Sequence, residues 1–272
     1  MPTGLSLHVG LNSVDPDRYD GWDGALVACE NDARDMARLA RAAGFSDTVL
    51  LTREGTVDRI TAALRDAAQR LASGDTLLFT YSGHGGQVRD VATGPDTETD
   101  RLDETLVFFD RQFLDDELHQ EFLRFDDGVR IVTYLDCCHS GSSIEIPGAP
   151  GADAAGRYMP EPKQAELYER DRDFYDDLQR SLAKAAAARN DGQGPPVLLI
   201  SGCQDNQTAA DGAVNGAFTE ALLEVWGDGA FRGDYRDFHR AIQGKLPPTQ
   251  SPNLYTTGAP SNAFLEQRPF TV

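Results

Sequence analysis

The sequence predicts an α/β fold, a three-layer α/β/α sandwich with a mostly parallel central sheet. Two observations carry that prediction. Five short, continuous apolar runs bounded by turn residues have the character of strands buried on both faces. Segments with helical periodicity lie between them, and this alternation implies right-handed crossovers joining parallel neighbours, with helices on both faces.

In chain order the runs are SLHVGLN (6–12), TVLLT (48–52), TLLFTYSG (76–83), VRIVTYLD (129–136) and PVLLISG (196–202). Between the first two, Met36, Leu39, Ala40 and Ala43 recur at helical spacing, with Asn31 as the expected N-cap and Gly44 as the stop. Val57, Ile60, Leu64 and Leu71 repeat the pattern in the next segment. In such a sheet, functional residues gather beyond the carboxyl ends of the strands. Ser82 and His84 follow the third run there, and Asp136 to His139 close the fourth.

Two stretches break the rhythm. Residues 96–117 carry nine acids against two arginines, and 147–196 runs from IPGAPGADAAG through a helix-period piece to GQGPP. The first and last pieces of 147–196 read as flexible linkers. Phe174, Leu178, Leu182 and Ala185 form an apolar stripe in the middle piece, which is therefore expected to dock.

Length and composition suit a single domain over 1–272, with 40% apolar residues to build its core. Four cysteines are too few for a small secreted disulfide scaffold, which points to a reducing, cytoplasmic compartment. The N-terminus does not read as a signal peptide, and no apolar run is long enough to span a bilayer. With 25 basic and 44 acidic residues the net charge is −19. That excludes a general grip on nucleic acid or an anionic membrane and favours cationic substrates. A solubility adaptation, for instance to high salt, is the competing explanation of the acidity.

The chemistry concentrates in YLDCCHSGSS (134–143). A zinc site would need Cys137, Cys138 and His139 to converge, but adjacent residues at a strand end point to opposite sides. A thioredoxin-like pair needs two intervening residues, and a vicinal disulfide demands strained geometry. A cysteine nucleophile needs exposure at a strand end, a base and oxyanion donors. His84 in YSGHGGQ is the candidate base, on a glycine-rich turn that parallel pairing would bring to the same sheet edge. These considerations leave both cysteines open.

TYSGHGGQ followed by TYLDCCHSGSS resembles the His and Cys motifs of metacaspases and related prokaryotic caspase-like peptidases of the caspase-hemoglobinase fold, clan CD. CENDARDM, LDETLVFFD, FLDDELH, SGCQDNQTAAD and GAFTEALLEV extend the resemblance over most of the chain, in order. It implies a large-subunit-like region (1–146), an insertion (147–196) and a small-subunit-like region (197–272). It also implies Cys138 as nucleophile, His84 as general acid/base, and the N–H groups of Gly85 and Cys138 as the oxyanion hole. No cofactor is required for that chemistry.

Metacaspases prefer Arg or Lys before the cut, whereas the Gln-Ala-Cys signature of animal caspases is absent. By resemblance, Asp32, Ser82 and Asp136 line the pocket for that side chain, and carboxylates suit a guanidinium. Taken singly, Asp32 reads equally well as a helix-start charge and Asp136 as a turn cap. The resemblance further implies calcium as an activator, held by Asp103, Asp115, Asp116 and Glu145, although TDRLDE departs from the usual spacing. A solvated acidic loop is the alternative.

The insertion holds Arg157, Lys163, Arg170, Arg172, Arg180, Lys184 and Arg189. Cleavage after one of them, by the protein itself or by an upstream protease, is expected to free the site. An inert docked insertion is the rival. The expected partners are protein or peptide substrates with Arg or Lys at the cut, and the enzyme is expected to be monomeric. A peptidase of Asn or Asp specificity, or a catalytically quiet interaction module, is the alternative. The family suggests regulated cell death or antiphage defence as the setting.

Overall fold

The computed structural model describes residues 2–91, 102–138, 156–188, 194–203, 209–258 and 260–272. Its central sheet is built from β1 (Gly4–Gly10), β2 (Ser46–Leu51), β3 (Thr76–Ser82), β7 (Arg130–Asp136), β8 (Val197–Ser201) and β9 (Asn253–Thr257), in the order β2-β1-β3-β7-β8-β9. All neighbours pair parallel except β8 and β9. The five apolar runs correspond to β1, β2, β3, β7 and β8.

Strand alternation divides the core into two layers. Leu5, Leu7 and Val9 of β1, Phe79 and Tyr81 of β3, and Ile131 and Leu135 of β7 pack beneath α2 (Val57–Arg70) and α3 (Asp115–Phe122). On the other face Leu78, Val132, Tyr134, Leu198 and Ile200 meet α1 (Cys29–Ala42), α6 (Ala217–Trp226), α7 (Tyr235–Gln243) and α8 (Asn262–Leu265). The period-2 side-chain geometry of strands thus turns continuous apolar runs into two separate cores. Among the described residues no helix is long and apolar enough to cross a membrane.

Several elements differ from the sequence expectations. Helix α1 begins at Cys29, and Ala28 is its N-cap with no capping side chain. Asn31 lies inside the helix and donates to the Val214 carbonyl at 2.9 Å. Distant acceptors serve the helix start instead: Asn12 Oδ1 takes the Glu30 N–H at 3.0 Å, and Asp211 takes those of Val27 and Ala28. Gly44 does follow the end of the helix, with φ of 99°.

The glycine-rich turn and the described part of the acidic stretch form a second sheet, antiparallel, from β4 (Gly85–Arg89), β5 (Leu102–Val107) and β6 (Gln112–Leu114). On it dock α4 (Glu161–Arg170) and α5 (Arg172–Ala187), with Val88, Leu114, Tyr168 and Tyr175 in one cluster. Leu178 and Leu182 of the expected stripe pack against this cluster, but the face of α5 is rotated so that Phe174 and Ala185 are exposed. Tyr175 and Gln179 are buried, whereas Phe174 is half exposed beside the Arg111 guanidinium. Gln179 is drawn inward because its amide bonds both Val91 N and Arg89 O, satisfying the edge of β4. The terminal linker pieces of 147–196 lie largely outside the described residues.

Phe79 is fully buried and meets Phe122 edge-on at 6.1 Å, joining the sheet to α3. Phe79→Ala is expected to lower the unfolding free energy by about 3 to 5 kcal/mol in urea titration. A loss below about 1 kcal/mol would mean this contact does not hold the layer.

Candidate active site

The parallel register of β3 and β7 sets Ser82 opposite Asp136, so the turns that follow both strands emerge side by side. The first carries His84 and the second Cys138. Tyr81 secures the first turn from beneath, its hydroxyl 2.7 Å from the His84 carbonyl and 2.9 Å from that of Val107.

His84 is buried against Trp22, ring centroids 4.9 Å apart, with Nε2 3.0 Å from the Gly24 carbonyl. An Nε2 proton satisfies that carbonyl and leaves Nδ1 as a bare acceptor, which has no hydrogen-bond partner. Burial lowers the His84 pKa to about 4, so the ring is neutral at neutral pH. Gly24 sits at φ of 53°, where a Cβ would meet Trp22 at 2.9 Å and His84 at 3.1 Å. Its lack of a side chain allows the carbonyl to approach the imidazole.

The two adjacent cysteines point into different surroundings. Cys137 belongs to the core beneath α2 and α3, and burial pushes its thiol far up. Cys138 packs instead with Cys203, Ala209 and Tyr158. Its sulfur accepts the Ala209 N–H, while the Cys203 thiol donates to the Cys137 carbonyl at 3.3 Å; the adjacent Cys138 sulfur, together with burial, drives the Cys203 pKa up.

Residues 156–159 of the insertion run through this cleft. Gly156 bridges Ala210 and Tyr158 bridges Gly85, so the segment lies as an added strand. Its Arg157 N–H donates to the Ala209 carbonyl at 3.1 Å, and the Met159 N–H donates to the Gly85 carbonyl at 2.8 Å. The Arg157 carbonyl accepts from Gly85 N–H at 3.1 Å and from Cys138 N–H at 3.0 Å. Two backbone donors therefore converge on one carbonyl oxygen, and the main chain of the next residue, Tyr158, lies against His84.

The Arg157 side chain is wholly buried among Asp32, Ser82 and Asp136. Nη2 lies 2.7 Å from Asp32 Oδ2, while Nη1 lies 2.9 Å from Asp136 Oδ2 and 2.8 Å from Ser82 Oγ. Asp211, which sequence reasoning missed, adds a third carboxylate 2.9 Å from Nη2. The available signals were its place at the end of SGCQDNQTAAD, one of the segments that carry the resemblance, and an acid within a run of small residues close after a strand end. Thr219 fixes Asp136 through its N–H and hydroxyl, and Gly216 N–H and Asn215 fix Asp32. Burial lifts the Asp32 pKa to about 6 even though Arg157 opposes the rise. Burial disfavours the Arg157 charge, but the surrounding acids outweigh it and raise its pKa well above normal.

The expected calcium ligands are only partly brought together. Asp103 is buried, and its pKa is raised to about 9 by burial and by the nearby carboxylates of Asp115, Asp116 and Asp90. Among the described residues no three His, Cys, Asp or Glu side chains are arranged to hold a metal ion. Glu145 lies outside the described residues, as do His139 and Arg189.

Residues 14–264 match the family described as Caspase domain. Metacaspase-1 of Mycosarcoma maydis is 30% identical over 256 residues, covering 81% of this chain and 61% of that protein. Metacaspase-1 of Arabidopsis thaliana is 32% identical over 221 residues, covering 75% and 52%. The chain thus spans roughly half to three-fifths of these relatives. Among solved structures, protein GSU0716 from Geobacter sulfurreducens aligns with a TM-score of 0.87 at 44% identity, covering 100% of this chain and 99% of that one. Caspase-1 from Spodoptera frugiperda aligns with a TM-score of 0.57 at 12% identity, over 94% and 86%, and shares the fold.

A Cβ on Gly216 would lie 2.4 to 2.5 Å from the Arg157 guanidinium. Gly216→Ala is expected to eject Arg157 and expose Cys138, raising its alkylation rate by iodoacetamide about tenfold or more, read by intact mass. An unchanged rate would mean the pocket tolerates the extra carbon.

Proposed function

The chain belongs to the caspase-domain family, and on that premise we propose that it is a cysteine endopeptidase cutting after arginine or lysine, whose first substrate is its own Arg157–Tyr158 bond. The observation that carries this reading is the double role of Arg157: its side chain meets three carboxylates while its carbonyl oxygen receives two backbone N–H groups. The other described basic residues of the insertion support it by contrast. Lys163, Arg170, Arg172, Arg180 and Lys184 lie on α4 and α5, where helical backbone cannot extend across a cleft.

In the proposed mechanism the Cys138 sulfur, deprotonated by His84 Nδ1, attacks the Arg157 carbonyl carbon. Gly85 and Cys138 N–H groups stabilise the oxyanion, an effect worth about 3 to 4 kcal/mol per donor in other hydrolases. Collapse breaks the Arg157–Tyr158 bond, and the imidazolium protonates the departing Tyr158 amine. Water then hydrolyses the thioester and regenerates the thiol. Arginine fits this pocket better than lysine, because its planar fork spreads five donors across the separated carboxylates, whereas an ammonium presents three from a single point.

Calcium enters the proposal as an activator near Asp103. Carboxylate oxygens suit a hard divalent cation, and one would relieve the repulsion from Asp115 and Asp116 that adds to burial in raising the Asp103 pKa. Monomeric action in the cytoplasm, on protein substrates, completes the reading.

Intact mass should show wild type resolving into 1–157 and 158–272, while Cys138→Ala, His84→Ala and Arg157→Ala stay whole. A cut persisting in Cys138→Ala would overturn the assignment of the nucleophile. On arginyl-coumarin substrates, KM should rise as pH falls from neutrality, because Asp32 gains a proton and the pocket loses negative charge; its pKa is about 6 with Arg157 seated and higher once that cation leaves. A flat KM from pH 7 to 5 would remove Asp32 from substrate binding. Calcium should accelerate self-cutting in wild type and not in Asp103→Asn; equal rates with calcium and with a chelator would end the activator role.

A further inference from the structure

The chain just beyond Arg157 is held by packing as well as by hydrogen bonds. Met159 is fully buried, in one cluster with Val14, Tyr19, Val107 and Leu167, with Trp22 packed against it. Its N–H donates to the Gly85 carbonyl at 2.8 Å, which fixes the distance of this side chain from the oxyanion donor. In an extended segment, residues two apart face the same side. Arg157 and Met159 are therefore sunk into the protein, whereas Tyr158 between them is only half buried.

We propose that this cluster is a second specificity pocket, on the leaving-group side, which selects an apolar side chain of about methionine size two residues beyond the cut. The inference rests on the reading of Arg157 as the residue before the cut. Four of the walls belong to the protein body: Val14, Tyr19 and Trp22 from the loop after β1, and Val107 from β5. Tyr19 is pinned by its hydroxyl, which donates to the Phe108 carbonyl at 2.7 Å, so this wall is preformed. The fifth wall, Leu167, comes from α4, on the same side of the cut as Met159.

None of the walls carries a charge. An Asp or Lys at this position would have to leave water without a partner, which disfavours it strongly. The first pocket demands a cation and this one excludes it. The pair reads a two-part signal, arginine followed after one residue by an apolar side chain.

The test uses self-cut wild-type enzyme and internally quenched peptides with Arg before the cut and Met, Leu, Ala, Asp or Lys two residues beyond it. An arginyl-coumarin, which has no residue there, reports the catalytic centre separately. Met and Leu peptides should exceed Asp and Lys peptides in kcat/KM by about tenfold or more, within the range a hydrophobic pocket supplies. In Val14→Phe, which fills the pocket, the Met-to-Ala ratio should fall to about one. In the intact chain, Met159→Asp should slow cutting at Arg157 about tenfold, a measurement independent of how Val14→Phe folds. A flat peptide series alongside vigorous arginyl-coumarin hydrolysis would overturn the pocket. Absence of arginyl-coumarin hydrolysis would overturn the peptidase reading and the pocket with it.

Discussion

One guanidinium, buried among three carboxylates, ties together parts of the chain that are distant in sequence. Asp32 comes from the first turn of α1, Asp136 from the end of β7, Asp211 from the loop before α6, and Arg157 from the insertion. The cluster is unbalanced, with one positive charge facing three negative ones in a dry setting. Removing one partner from a buried ion pair typically costs about 3 to 5 kcal/mol, because the remaining charge is stranded. Here departure of Arg157 would strand several, and another basic side chain or a proton must take its place. Burial is the main cause of the raised Asp32 pKa, and the neighbouring Asp136 carboxylate adds to it.

This charge excess connects resting structure to function. A pocket that fits its own Arg157 well would be permanently blocked if the bond beyond it could not be cut. The surrounding hydrogen bonds hold that bond in extended form, with the Arg157 carbonyl on two N–H donors.

The insertion is more than a plug. Helices α4 and α5 cover the small antiparallel sheet through Tyr168 and Tyr175, with Gln164 and Gln179 bonding the β4 main chain. That sheet begins at Gly85, whose N–H and carbonyl both bind the 157–159 segment. Docking of the helices and seating of Arg157 therefore bear on the same strand. Whatever loosens α4 would also disturb the leaving-group side of the cleft.

The sequence by itself determined the sandwich, since apolar runs long enough only for buried strands alternate with helical stripes, and that pattern admits few packings. It also determined the sheet edge at which His84 and Cys138 emerge, because parallel strands deliver their carboxyl-terminal turns to one side. Other features depended on tertiary structure. Asn31 has the composition of a cap, yet Asn12 and Asp211 serve the helix start from afar. Phe174 fits an apolar stripe, yet the hydrogen-bonding demand of a strand edge turned Gln179 inward in its place. Above all, seven basic residues in the insertion are indistinguishable as text. Which of the described ones is fully buried depends on through-space convergence of three acids, two backbone N–H donors and a glycine without a Cβ, and no local pattern encodes that convergence.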